Sequence, residues 1–272
     1  MPSTTDTQQN SGLFGLFKGQ PNSGKSNAAL SFPTPFVFDF DRKMPTVSQK
    51  HFPGKKVDWE CFDDVFQLSD FIQPWLLDPN GGNPNAKPCP YETIIVDSVT
   101  SLSTLVLQSL DKTKGTNVVQ MMKNVYTSRT GEKSIEVMGI DYYNAETNFF
   151  ERSFMSWMKM LWSRPGNPKH VIVLAHNMRV ESAPDLKTGA IRITESILTA
   201  GKKAAVFIPS RFDDEYVFLK ETQGAGSSIV QDHYVCITYG RENARTGFKF
   251  PREIDFTNKS LYDELNKVAK WS

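Results

Sequence analysis

Gly12–Leu30 reads GLFGLFKGQPNSGKSNAAL, and its middle decides how the rest of the chain must fold. Gly19-Gln20-Pro21-Asn22-Ser23-Gly24-Lys25-Ser26 fits the phosphate-loop pattern G-x-x-x-x-G-K-[ST]. The chemistry requires those residue types at that spacing. Glycines let the backbone curl so that successive N–H groups face one phosphate. The pattern sends Lys25 to the β- and γ-phosphates and the Ser26 hydroxyl to Mg²⁺. Asn27 carries the loop into a helix, whose N-terminus favours anions. Upstream, Leu13-Phe14-Gly15-Leu16-Phe17 is a short apolar run of the buried-strand kind, and Asn27-Ala28-Ala29-Leu30 continues as helix. Strand, Gly-rich turn and helix in that order is what separates a phosphate loop from a chance match. The expectation is a nucleotide-binding protein with Gly19 to Asn27 around the ligand.

The 272 residues suffice for one large domain or two small ones. Net charge is +1, so no global field draws nucleic acid, and any such site must be a local patch. Cys61, Cys89 and Cys236 are far apart, without CxxC or Cys/His spacing. They imply neither a disulfide framework nor a zinc site, which suits a reducing cytoplasm. No apolar run approaches the roughly 18–20 residues of a membrane span. The Ser/Thr/Gln-rich start lacks the basic and apolar regions of a signal peptide and reads as a disordered arm over residues 1–11. Residues 12–272 read as a single domain.

Downstream, Phe36-Val37-Phe38-Asp39-Phe40-Asp41 is an apolar run closed by two carboxylates on one side of a strand's end. Residues 44–60 read as an irregular connection carrying a short strand, and Phe62 to Leu77 has helical apolar spacing. Tyr91 to Asp97 is a second buried strand, and Leu102 to Leu110 a helix. Residues 111–140 read as a polar, mobile excursion, Asp141 to Trp162 as a long helix, and Val171 to Ala175 as a third buried strand ending at His176-Asn177. The stretch 178–200 is again polar. Lys202–Pro209, Asp214–Lys220 and Tyr234–Tyr239 read as strands, and Leu261–Trp271 as a short helix. Apolar strands alternating with helices point to an α/β fold, a mostly parallel twisted sheet with helices on both faces. The late hairpin-like segments suggest antiparallel strands added at one edge.

A phosphate loop needs a second element. A strand beside the loop's own strand should end in Asp to hold Mg²⁺. Ile94-Ile95-Val96-Asp97 fits best, with Phe38-Asp39 as competitor. Hydrolysis also needs a group that orients or deprotonates water. Asp41 is the first candidate and Asp39 the second. His176 and Asn177 end a parallel strand, at the edge where ligands gather.

These residues resemble the RecA superfamily of recombination ATPases, and more closely the phage-encoded RecA-like ATPases associated with single-strand annealing. IIVDSVTSL, Ile94 to Leu102, is similar to that family's Mg²⁺-binding strand. FDFDRK, Phe38 to Lys43, resembles the strand carrying its catalytic carboxylate, which places the general base at Asp41 where the family usually has Glu. VIVLAHNMRV, Val171 to Val180, is similar to the strand whose terminal amide senses the γ-phosphate, here Asn177 preceded by His176. Thr199-Ala200-Gly201-Lys202 and Phe212-Asp213-Asp214-Glu215-Tyr216 match the family's tail pattern. The resemblance covers roughly residues 12–255. It implies a RecA-like P-loop NTPase core binding ATP and Mg²⁺, with Ser26 and Asp97 on the metal. It implies self-assembly into a ring or filament with ATP at subunit interfaces, and a trans-acting cation among Arg241, Arg245 and Lys249. It implies single-stranded DNA as partner, with a single-strand DNA-binding protein as a further one, in a host cytoplasm. The DNA loops would be 111–140, carrying Lys112, Lys114, Lys123, Arg129 and Lys133, and 178–203, carrying Arg179, Lys187, Arg192, Lys202 and Lys203. Tyr126, Tyr142 or Tyr143 would stack on bases. The function expected is a DNA-stimulated ATPase of phage recombination. A nucleotide-dependent switch acting on a protein partner is the alternative, and no acceptor lid or paired arginines mark a small-molecule kinase.

Overall fold

A computed structural model describes residues 12–51, 54–77, 83–112, 123–127, 134–138, 140–163, 169–181, 193–223, 231–240 and 244–271. The expected arm over residues 1–11 lies outside them. The sheet starts with β1 (Phe14–Gly19), β2 (Pro35–Asp39), β3 (Asp58–Glu60) and β4 (Thr93–Asp97), followed by β7 (His170–Glu181) and β9 (Asp214–Gln223). These six are mutually parallel in the order β9-β1-β7-β4-β2-β3. β10 (Gln231–Ile237) and β11 (Glu253–Asp255) add antiparallel strands beyond β9. The architecture is the expected one: an α/β P-loop core with a mostly parallel sheet and an antiparallel edge.

One detail of the order differs from the expectation. Asp97's strand is not the neighbour of β1, because β7 lies between β1 and β4. The insertion puts His176 level with Gly19. Parallel strands open their carboxyl ends toward one rim, so Gly19, His176, Asp97 and Asp39 emerge there together.

β1, β2 and β4 are wholly buried, as continuous apolar runs require when both faces are covered. On one face, α3 (Val65–Leu76), α4 (Val99–Lys112), α5 (Ile140–Phe149) and α6 (Met155–Ser163) pack over Leu16, Phe36, Phe38, Ile94, Val96 and Val173. A π-helical turn at Phe150–Phe154 joins α5 to α6. On the other face, α1 (Lys25–Leu30) and α8 (Leu261–Ala269) cover Phe17, Val37, Ile95, Ile172 and Leu174. α3 begins where Asp64 accepts from the N–H groups of Phe66 and Gln67, and α8 where Ser260 accepts from that of Asp263. Phe36 stacks on Phe71 at 5.5 Å and meets Trp75 edge-on at 5.4 Å. Such ring pairs contribute about 0.5–1.5 kcal/mol each beyond their buried area.

Several local expectations change. The 44–60 connection contains α2 (Met44–His51) besides β3. The described part of 111–140 includes an antiparallel hairpin, β5 (Lys123–Thr127) with β6 (Ser134–Met138). Lys202–Pro209 is not a strand: Lys202–Phe207 forms α7, followed by a 3₁₀ turn. Its Lys-Lys-Ala-Ala start is of helix formers, and Gly201 caps it. The polar reading of 178–200 hid regular structure, because β7 runs on to Glu181 and pairs with β8 (Ile193–Ile197). No helix among the described residues is long and apolar enough to cross a membrane.

Candidate nucleotide site

The phosphate loop follows β1 without a break. Gly24 has φ of +88°, in the left-handed region where glycine is at ease. Gly19 is needed for close approach: a Cβ there would meet the Phe218 carbonyl oxygen at 2.4 Å. Beneath the loop, Lys18 Nζ lies 2.7 Å from Glu215 Oε2, a buried ion pair tying β1 to β9.

Lys25 is 5% exposed, and its ammonium is turned into the loop. It donates to the carbonyls of Gly19 and Gln20, both at 2.8 Å, and lies 3.5 Å from His176 Nδ1. An ammonium has only hydrogens to offer, so Nδ1 is the acceptor. Nε2 then carries the ring proton toward Asp41 Oδ2, 3.6 Å away. Burial lowers the Lys25 pKa to about 8, against the pull of Asp97 and Asp41.

Asp41 is steered into this cluster by β4. The Asp97 carbonyl accepts from the N–H groups of Phe40 and Asp41, at 2.7 and 3.2 Å. The Asp41 carboxylate accepts from Ser98 Oγ at 3.1 Å, from Ser101 Oγ, and from Lys43 Nζ at 3.2 Å. Burial pushes its pKa up, but the bonds from His176, Ser101 and Lys43 outweigh burial and hold it well below the usual carboxylate range. Asp39 stays out of the site. It is fully buried and accepts from the N–H groups of Lys43 and Met44, capping α2.

Ser26 Oγ donates to Asp97 Oδ2 at 2.7 Å. Burial, then the Asp41 charge, raise the Asp97 pKa to about 6. A carboxylate that the fold makes costly to ionise, facing a hydroxyl beside a phosphate loop, fits a Mg²⁺ site completed by phosphate and water. Among the described residues no group of three or more His, Cys, Asp or Glu could hold a metal alone, so the cation would arrive with the nucleotide.

Pro21, Asn22, Ser23, Gly24, Lys25, Ser26, Asn27, Asp41, Asp97 and His176 line one cavity of about 370 Å³. Gly19 and Gln20 serve it through their carbonyls on Lys25. Asn177 is buried and is not among the lining residues, since alternation along β7 sends neighbouring side chains to opposite faces. Lys43, Val47, Lys220 and Tyr234 complete the wall. Lys220 and Tyr234 escaped the sequence reading. The signal for Lys220 was the alternation along β9, where Tyr216 and Phe218 are buried and Lys220 follows on the same face. A second cavity, of about 400 Å³, adjoins the first at Gly24, Asn27 and Tyr234 and is lined also by Ser31, Lys55, Phe256 and Thr257.

Other expected residues lie elsewhere. Arg245 is held by its own chain: it donates to the carbonyls of Pro209 and Phe212, both at 2.7 Å, and pairs with Glu215 at 2.5 Å. Its side chain stays about half exposed. Arg241 lies outside the described residues, and Lys249 is exposed. Lys202 and Lys203 open α7, where Lys203 Nζ donates to Asn144 Oδ1 at 2.8 Å. Arg179 is on β7, but its side chain, like Arg192 and Lys187 altogether, falls outside the described residues, as do Lys114, Arg129 and Lys133. Of the other histidines, His170 is structural. It accepts from the Leu13 N–H at 3.1 Å, and burial lowers its pKa to about 3.

The profile of a family described as AAA domain matches residues 12–228. No curated protein matches this sequence. Among solved structures, the chain aligns with the crystal structure of the flagellar accessory protein FlaH from Methanocaldococcus jannaschii. The identity is 10% and the TM-score 0.34, over 89% of this chain and 83% of that one.

Proposed function

This chain belongs to the AAA-domain family of P-loop ATPases, and on that premise we propose that it hydrolyses Mg²⁺·ATP and uses the cycle to grip single-stranded DNA. Within that role, annealing during phage recombination is the use the residue resemblances favour. The observation that carries the reading is the continuity of β7. His176, within 3.5 Å of the phosphate-loop lysine, sits on the strand that runs into the β7–β8 hairpin carrying Arg179. The same hairpin leads from Ile197 to Lys202 and Lys203. A change at the phosphates thus has a short covalent route to the hairpin that carries Arg179 and on to Lys202 and Lys203, cations that could contact a phosphate backbone.

The residues divide the chemistry. The loop N–H groups and Lys25 cradle the phosphates. The adjoining cavity, walled by Tyr234 and Phe256, would take the nucleoside. Ser26 and Asp97 would hold Mg²⁺, which when bound neutralises phosphate charge. Phosphate and His176 compete for the Lys25 ammonium. Once Lys25 turns to phosphate, Nδ1 of His176 is free to accept a proton from the water that attacks the γ-phosphorus. The bond to the ADP oxygen breaks, and Asp41 stabilises the imidazolium through Nε2. Asp41 thus acts through His176, because its own oxygens are already bonded.

The test is the ATPase rate of the full chain with and without single-stranded DNA at two salt concentrations. Stimulation with binding that weakens steeply in salt supports the reading. Unstimulated turnover with no salt-sensitive binding overturns the DNA part and favours the second reading, a switch acting on a protein partner. Met178 and Leu198, about two-fifths exposed on the same hairpin region, favour that alternative.

A further inference from the structure

β9 lies beside β1 with Phe218 opposite Gly19. There β1 turns away into the phosphate loop, while β9 continues to Gln223 with β10 alongside. One face of β9 carries Tyr216 and Phe218, both buried with the α1 side of the core. Two residues further along that face comes Lys220. The apolar face behind the phosphate loop therefore ends in an ammonium at the cavity wall. Tyr234 stands opposite Lys220 in the β9–β10 register, and its ring braces the loop: a Cβ on Gly24 would lie 2.9 Å from Tyr234 Cδ1.

The charges lining the cavity are Lys25, Lys43 and Lys220 against Asp41 and Asp97. Lys43 is already bonded to Asp41, and Lys25 feels both carboxylates. Without Lys220 the lining is neutral, two lysines against two aspartates, which is a poor host for a polyphosphate. Lys220 Nζ lies 2.8 Å from Asp232 Oδ2, and Asp232 Oδ1 accepts from Thr222 Oγ1 at 3.1 Å. Asp232 is not part of the cavity wall.

We propose that Lys220 is a polyphosphate contact supplied within the same chain, and that Asp232 competes with the nucleotide for it. The pair is 38% and 41% exposed, and ion pairs in such places hold their lysines weakly. A phosphate group nearby outbids one carboxylate. The ammonium need only swing on a flexible four-carbon stem, while the ribbon keeps its position. Asp232 thereby tunes affinity, parking the lysine where it is ready and making the nucleotide displace it. The proposal rests on the nucleotide reading of the phosphate loop.

Equilibrium binding of a fluorescent non-hydrolysable ATP analogue with Mg²⁺ to the full chain tests it. Lys220→Ala should weaken binding roughly tenfold, the scale of one charge-assisted contact, and Lys220→Arg should retain most of it. Asp232→Asn removes the competitor and should tighten binding about two- to fivefold. Opposite signs are the signature. Unchanged affinity in Lys220→Ala, or weakening in both variants, overturns the proposal and leaves the pair as a brace of the ribbon. Lys25→Ala separates the premise: if it binds as the wild type does, the phosphate-loop reading fails, whatever Lys220 does.

Discussion

Replacing Asp97 by Asn separates the stability of the site from its function. Asp97 is 5% exposed, lies beside Asp41, and accepts from Ser26 Oγ at 2.7 Å. Burial first and the Asp41 charge second raise its pKa from 3.8 to about 6, and the bond from Ser26 and the charge of Lys25 offset only part of that. A folded-state pKa above the unfolded one means that the fold binds the proton more tightly. Ionised Asp97 therefore costs stability above pH about 6, and the cost disappears as pH falls through 3.8. The difference of about two pK units corresponds to about 3 kcal/mol at pH 7.5 and about 1 kcal/mol at pH 4.5. Asn keeps the shape and an acceptor for Ser26 but carries no charge. In nucleotide-free thermal melts at pH 7.5, Asp97→Asn should melt roughly 4–10 °C above wild type. The gap should narrow to about a third of its free energy by pH 4.5. With Mg²⁺ and a non-hydrolysable ATP analogue the order should reverse, because only the carboxylate helps to hold the cation. An Asn variant no more stable than wild type at pH 7.5, or a gap unchanged at pH 4.5, would refute the reasoning.

Three further outcomes follow from the same site. Asp41→Asn and His176→Gln should each slow hydrolysis by about 10²-fold or more while analogue affinity stays within about threefold; an equal loss of affinity in titration would make the pair a binding element instead. Because the free Lys25 pKa is lowered to about 8 and phosphate requires the charged form, nucleotide affinity should fall up to about tenfold per pH unit above 8, as isothermal titrations across pH 7–10 would read. Gly24→Ala forces φ of +88° on a residue with a Cβ 2.9 Å from the Tyr234 ring, and should lower stability by about 1–2 kcal/mol with loss of nucleotide binding; an unchanged melt would sink the close-packing argument.

Much of the sheet was legible because buried parallel strands are written as unbroken apolar runs. Phe36–Phe38, Ile94–Val96 and Val171–Ala175 all lie in the parallel core. The order of those strands was not legible, and β7 entered between β1 and β4. Periodicity reports which face a residue takes but not which strand is its neighbour. The Lys202–Phe207 helix was misread because a six-residue apolar-and-basic segment carries too little period to choose between strand and helix. β8 and the extension of β7 were missed because a ribbon that leaves the core keeps its polar residues.

For the site, the sequence by itself determined the phosphate loop, with its glycines, lysine and serine at fixed spacing, and an aspartate at the end of an apolar run. These are local requirements: backbone curl, anion capture and strand burial act within a few residues of one another. Only the tertiary structure decided which carboxylate does what. Asp39 and Asp41 are two residues apart, yet one caps α2 and the other is drawn by the Asp97 carbonyl to His176. Only the fold turned His176 rather than Asn177 toward Lys25, tied Arg245 to its own chain, and carried Lys220 across 195 residues to the loop's rim. Roles of that kind depend on strand order and register, which arise from the packing of distant segments.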